Sequence, residues 1–302
     1  IGCSGGKYGT ALIVASSQGH VENVKELLAK GADINAQGRT YGTALQAASS
    51  AGHIEVVQLL VEKGADVNAQ GGAYETALQA ASSRGNIKVI QLLVEKGADI
   101  NAQGGFFGTA LQAASFGAQI KVVQLLVEKG ADINAQGGLH GTALQAASSR
   151  GHIEVIQLLV ENGADVNAQG GTYGTALQAA SYGGHIEVIQ LLVEKGADIN
   201  AEGNHYGTAL RAASSAGHTE VVQLLVQKGG DVNAQGGFYG TALQAASYGG
   251  HIEVIQLLVE KGADINAQGG YYGTALQAAL SKGHTKVVQL LVEKGADIEA
   301  KD

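Results

Sequence analysis

The sequence predicts an all-α solenoid of nine 33-residue helix-turn-helix units with β-hairpin-like connecting loops. One residue series, Tyr8, Tyr41, Tyr74, Phe107, His140, Tyr173, Tyr206, Tyr239 and Tyr272, recurs at a constant step of 33 with no insertion. A step of that size marks stacked units, because a single unit cannot bury its own apolar face. Each unit holds two stretches of helical apolar spacing, and a glycine closes each stretch.

The first helix is read from Thr76, whose hydroxyl can cap exposed amides, through Ala77 to about Ser83, with Gly85 supplying the tight turn. Ala77, Ala80 and Ala81 share a face at i, i+3, i+4 spacing, so another helix can approach closely. Gln79, Ser82 and Ser83 are expected on the opposite side. The second helix, Ile54 to Lys63, collects Ile54, Val56, Val57, Leu59, Leu60 and Val61 into an apolar surface and leaves Glu55, Gln58 and Glu62 polar. Gly64 stops it, and Ala65 to Gly72 loses the helical period, as a hairpin-like loop should. In the fourth unit, Gly117 stands one residue before the turn position and Ala118 stands at it. A left-handed Ala is costly, so the first helix is expected to end one residue early there.

Thr43-Ala44-Leu45-Gln46, then Gly52-His53, a leucine-rich helix and Gly64-Ala65-Asp66-Val67-Asn68-Ala69 together resemble the ankyrin repeat. The resemblance runs through all nine units and implies one ankyrin-repeat domain over 1–302, expected to be a fragment of a longer protein. Two departures matter. Ala replaces the family's Pro throughout, leaving no Pro in the chain, and Gln (or Ile13 and Arg211) replaces its His. The family's hydroxyl-to-imidazole bond is therefore not expected. Repeats reading Tyr-Gly-Thr-Ala-Leu-Gln-Ala-Ala-Ser most resemble the near-identical C-terminal arrays of fungal NLR-like (NACHT/STAND) receptors, which implies a sensor role behind a nucleotide-binding switch.

The net charge is −8 and no Lys or Arg stripe forms, which argues against nucleic acid and anionic membrane as partners. Cys3 is the only cysteine, so neither a disulfide framework nor a thiolate metal site can be built, and a cytoplasmic location is expected. No apolar run approaches a membrane span, and the first residues lack the pattern of a signal peptide.

Histidines at His20, His53, His152, His185, His218, His251 and His284 invite a metal reading. Copies one unit apart are separated by about 10 Å, whereas ligands of one metal lie about 2 Å from it. They are read as bonding the turn backbone, and no metal or other cofactor is expected. Glu55, Glu154, Glu187, Glu220 and Glu253 give way to Lys88, Lys121 and Lys286 in other units, which no general acid tolerates. Gln136-Gly137-Gly138 precedes no Gly-Lys-Ser/Thr, so it is a hairpin and not a phosphate loop. The Tyr series is expected to pack between adjacent hairpins, and Asn35, Asn68, Asn101 and Asn134 to bond within them. Nothing assembles a nucleophile, a base and an orienting partner, so an enzyme is not expected.

The units differ mainly in two places. The hairpin tip runs Lys7, Thr40, Ala73, Phe106, Leu139, Thr172, His205, Phe238, Tyr271, and the end of the first helix carries Phe116, Arg150, Tyr182 or Tyr248. In the ankyrin family both places lie on the concave, protein-contacting side. The expected partner is a protein, with Phe106, Phe116, Tyr182, Phe238, Tyr248 and Tyr271 as aromatic anchors, Leu139 beside them, and Arg150, Arg211 and His205 as polar contacts. The alternative is a structural spacer or a rod that self-associates end to end.

Overall fold

The computed structural model describes residues 9–203 and 206–300; Cys3, Lys7, Tyr8 and His205 lie outside them. The described residues form eighteen helices in pairs. The pairs are α1 (Ala11–Ser17) with α2 (Val21–Ala29), α3 (Ala44–Ala51) with α4 (Ile54–Glu62), and α5 (Ala77–Arg84) with α6 (Ile87–Glu95). Next come α7 (Ala110–Phe116) with α8 (Ile120–Glu128), α9 (Ala143–Ser148) with α10 (Ile153–Glu161), and α11 (Ala176–Gly183) with α12 (Ile186–Glu194). The last are α13 (Ala209–Ala216) with α14 (Thr219–Gln227), α15 (Ala242–Gly249) with α16 (Ile252–Glu260), and α17 (Ala275–Lys282) with α18 (Thr285–Glu293). They group into two compact units. One holds the residues up to Ala147 with Gln157–Ala164, and the other holds Ser148–Ile156 with the residues from Asp165 onward.

In the first unit α1 packs on α3, α3 on α5 and α5 on α7; in the second, α11 packs on α13, α13 on α15 and α15 on α17. The close approach follows from alanine. Ala44, Ala47 and Ala48 are buried, so neighbouring first helices meet through methyl groups. Within both units first helices also rest on their own second helices, as α3 does on α4 and α11 on α12, and the buried stripe of the second helix is narrower than the apolar pattern predicts. Val56, Val57 and Leu60 are fully enclosed, while Ile54, Leu59 and Val61 are half-buried. Each enclosed side chain contributes about 1.5–3 kcal/mol relative to exposure.

The first helices start at a reciprocal cap. Thr43 Oγ1 accepts from Gln46 N at 3.3 Å, and Gln46 Oε1 accepts from Thr43 N at 2.5 Å. The Gln46 amide then donates to Ala69 O at 2.9 Å, Gly71 O at 3.3 Å and Glu75 O at 2.6 Å, in the next hairpin. One side chain thus caps its own helix and holds the following loop, so Gln does here what the family's His would do. Gln79 and Ser82, expected opposite the alanine face, are buried as well. The polar side of this short helix faces the loop backbone and the neighbouring helices instead of water.

Six isolated antiparallel bridges among the described residues close the hairpins, such as Gly38 with Gly42 and Gly236 with Gly240. The asparagines do not keep their bonds within one hairpin, contrary to expectation. Asn68 Oδ1 accepts from Asp99 N at 2.8 Å and its amide donates to Gly97 O at 3.1 Å, both in the next repeat. Asn167, Asn200 and Asn233 repeat this link in the second unit. Histidine bonds run backward: His53 donates to Ser17 O at 3.2 Å and His218 to Tyr182 O at 2.9 Å, each in the preceding repeat.

Helix α7 does end a residue early, at Phe116, yet Ala118 still takes the left-handed conformation, with φ 57°. Glu75, where the other described repeats carry glycine, is left-handed too, with φ 71°.

Candidate functional site

Where aromatic residues stand at both places, the hairpin and the end of the first helix meet, as Phe106 with Phe116, Tyr173 with Tyr182 and Tyr239 with Tyr248. Within the first unit Phe106, Phe107, Phe116 and His140 form one cluster. Phe106 meets Phe107 edge-on at 5.1 Å and Phe116 at 6.2 Å between ring centroids, and Phe116 lies 4.8 Å from His140. Tyr74 stacks on Phe107 at 6.3 Å. Leu139 N donates to Phe106 O at 2.9 Å, which joins adjacent tips.

The second unit carries two clusters. Tyr173 stacks on Tyr206 at 5.9 Å with Tyr182 against both, at 5.5 and 4.7 Å. Phe238 stacks on Tyr271 at 5.1 Å, and Tyr271 N donates to Phe238 O at 2.9 Å. Tyr248 lies below them, 5.4 Å from Tyr239 and 4.7 Å from Tyr272. A hollow of about 630 Å³ opens between Tyr271 and Tyr272 of the hairpin and Gln277 and Ser281 of α17.

Burial divides the expected anchors into two kinds. Phe106, Leu139, Phe238 and Tyr271 are 47, 46, 37 and 73% exposed. Phe116, Tyr182 and Tyr248 are half-buried and support the tips from beneath. Arg150 is exposed. Arg211 is not a surface contact: it is 1% exposed, with Nη1 donating to Ala234 O and Gly240 O, both at 3.0 Å, and Nη2 to Glu202 Oε2 at 2.5 Å. It stands in the Gln position, whose side chain turns inward to the next hairpin at Gln46, Gln79, Gln112, Gln178 and Gln244. His205, also expected here, lies outside the described residues.

The phenols are tuned by their neighbours. Burial, then the hydrogen bond with Tyr182, raises Tyr206 far above an ordinary phenol. Burial also raises Tyr173, opposed by the charge of Arg150. Tyr248 is lowered because Lys282 and Tyr272 both bond its oxygen, whereas Tyr272, bonded to Tyr248, is pushed up to about 12. Sequence reasoning missed Lys282, whose Nζ sits 4.5 Å from the Tyr248 ring centroid, and Arg84, which donates to Tyr74 Oη at 2.9 Å. Both occupy the Arg150 position of their repeats, a signal that was present in the sequence.

Among the described residues no group of three or more His, Cys, Asp or Glu could hold a metal ion, and no helix is long and apolar enough to cross a membrane. A family model described as ankyrin repeats (three copies) matches residues 2–71, 70–137, 106–170, 144–236 and 210–302. The chain belongs to the ankyrin-repeat family. Ankyrin repeats are in general non-enzymatic modules that bind proteins. No curated protein matches the chain. In this ankyrin array Gln and Asn side chains link neighbouring repeats, as Gln46 and Asn68 do.

Proposed function

We propose that this chain is a protein-recognition array, one domain over 1–302, that holds a partner protein on the side shared by hairpin tips and first-helix ends, the concave side of the family. One observation carries the reading. Among the described residues, four of the eight exposed large apolar side chains, Phe106, Leu139, Phe238 and Tyr271, stand at hairpin tips, and the other four, Val14, Leu280, Val292 and Ile298, belong to the first and last repeats. Unconstrained drift leaves polar residues in water, and aromatic residues are favoured where binding energy concentrates.

The test is to replace Phe238 and Tyr271 together by Ala and measure affinity for a cognate protein isolated by display selection. Binding should weaken by roughly 2 kcal/mol or more, with little change in melting temperature because both rings are exposed. Unchanged affinity in that variant, with loss on charge reversal at Glu154 and Glu187, moves the site to the second helices. The finer reading, a cytoplasmic sensor array of an NLR-like receptor, is supported by the near-identity of the repeats. A nucleotide-binding motif encoded upstream of Ile1 tests it.

A second reading is end-to-end self-association, in which Leu280, Val292 and Ile298 of the ninth repeat would meet another copy of the chain. Sedimentation at rising protein concentration separates the two, since only the second predicts mass that grows with concentration and falls when these three residues become polar.

A further inference from the structure

Charge is not spread evenly over the second compact unit. Its described acids lie on second helices, as Glu187 and Glu253 do, or in the loops that follow them, as Asp198, Asp231, Asp297 and Glu299 do, with Glu202 alone at a hairpin. Glu202 is engaged by the buried Arg211, so that pair adds little field of its own. Arg150 and Lys282 are the other cations on the tip side, each just before the glycine that ends its first helix region, Gly151 and Gly283. Across the repeats this position holds Gln, Ala, Gly, Arg or Lys and never an acid. A chain of net charge −8 thus keeps its aromatic side basic.

Lys282 also stands beside a phenol, its Nζ 4.5 Å from the ring centroid of Tyr248, and the charge of Arg150 acts on Tyr173. An ammonium carries three donors, and a guanidinium presents a fork matched to a carboxylate. Aromatic platforms flanked by such donors suit a chain that offers apolar side chains and carboxylates together. A basic partner would find its complement on the second helices instead.

Resting on the contact surface proposed above, we infer that the occupant of the second unit's tip side is an acidic polypeptide segment. Its apolar side chains lie on Phe238 and Tyr271, and its carboxylates meet Arg150 and Lys282.

The experiment selects binders to the full chain from a display library of random peptides, then measures their affinity for three variants. These are Phe238→Ala with Tyr271→Ala, Arg150→Glu with Lys282→Glu, and Arg150→Gln with Lys282→Gln. The expected peptides are net acidic with apolar residues. The expected loss is about tenfold or more for the Glu pair and less for the Gln pair, and affinity should fall as salt rises. Hydrogen exchange of the free variants confirms that each is folded. Neutral or basic peptides that need Phe238 and Tyr271 but ignore the Glu pair overturn the charge inference and leave the contact surface standing. Peptides indifferent to all three variants, or a library that yields no binder, overturn both.

Discussion

Arg211 Nη2 lies 2.5 Å from Glu202 Oε2, and these two residues stand where the other repeats have Gln, apart from Ile13 at the Arg211 position and Ser4 and Lys301 at the Glu202 position. Nine residues apart in sequence, they are joined because a buried guanidinium needs a counter-charge at the hairpin it reaches. Arg211 cannot accept the Thr208 amide as Gln46 accepts that of Thr43, so this repeat gives up half of its cap. Arg211→Gln should therefore cost little, since it restores the cap and leaves Glu202, 52% exposed, to water. Glu202→Ala should cost about 1–3 kcal/mol, discounted from a fully buried pair for that exposure. The double Gln variant should return close to the parent. Urea midpoints of the three variants check the order, and equal losses for both single changes would contradict it.

Glu75 and Ala118 are the two described residues outside glycine with positive φ, at 71° and 57°. A side chain in this region costs roughly 1–2 kcal/mol. Glu75→Gly should raise stability by less than that, because glycine also gains freedom in the unfolded chain, and about 0.5–1 kcal/mol is expected. Ala118→Gly should behave alike. The measurement is the urea midpoint of each variant; a loss of stability at Glu75 would mean that its side chain makes a compensating contact with the Gly104–Gly105 turn.

How far the sequence could be read is clearest at the Gln position. Thr43 as a cap and Ala44 as a helix start are local features, and the structure agrees with them. The second bond of Gln46, to Ala69 in the next hairpin, lies 23 residues away and leaves no mark on local periodicity. The same holds for Asn68 and Gly97, whose link was expected inside one loop. At the site, comparing repeats picked out Phe238 and Tyr271, but it could not separate exposed tips from the half-buried Tyr182 and Tyr248. Arg211 was taken for a surface cation because charge usually means exposure. The departure of Glu202 from Gln in the same repeat was the signal that it is paired.

The serines at the buried end of the first helix test how much of this packing is optimal. Ser82, Ser181, Ser214 and Ser247 have hydroxyls without a hydrogen-bond partner, whereas Ser115 at the same position donates to Leu111 O at 2.7 Å. A buried unsatisfied hydroxyl costs about 1–3 kcal/mol. Ser→Ala at position 181 or 214 should thus stabilise by about 0.5–1 kcal/mol once rotation of the free hydroxyl is allowed for, while Ser115→Ala should be neutral or slightly destabilising. Melting curves of the three variants decide it. Equal effects at all three positions would mean that the hydroxyls find the same i−4 carbonyl in solution.

Alkaline titration probes the phenol clusters directly. Tyr272 is pushed up to about 12 and Tyr206 is raised further, both from an ordinary value of 10.0. A proton held more tightly in the folded state gives stability that is complete below pH 10, the unfolded value, and is lost as pH rises toward the folded one. Stability should accordingly decline above about pH 10, with the repeats holding Tyr206 and Tyr272 opening first in hydrogen exchange. Tyr248 runs the other way, since Lys282 favours its phenolate, and it shares a hydrogen bond with Tyr272. The two titrate as a pair, the first proton leaving early and the second late. Ultraviolet difference absorbance should therefore show one phenol ionising before the bulk, and Tyr248→Phe should remove that step. Lys282→Gln should move the step upward without abolishing it, because the Tyr272 bond remains. An early step that survives Tyr248→Phe would assign it to another tyrosine and would mean that Lys282 does not hold the Tyr248 oxygen in solution.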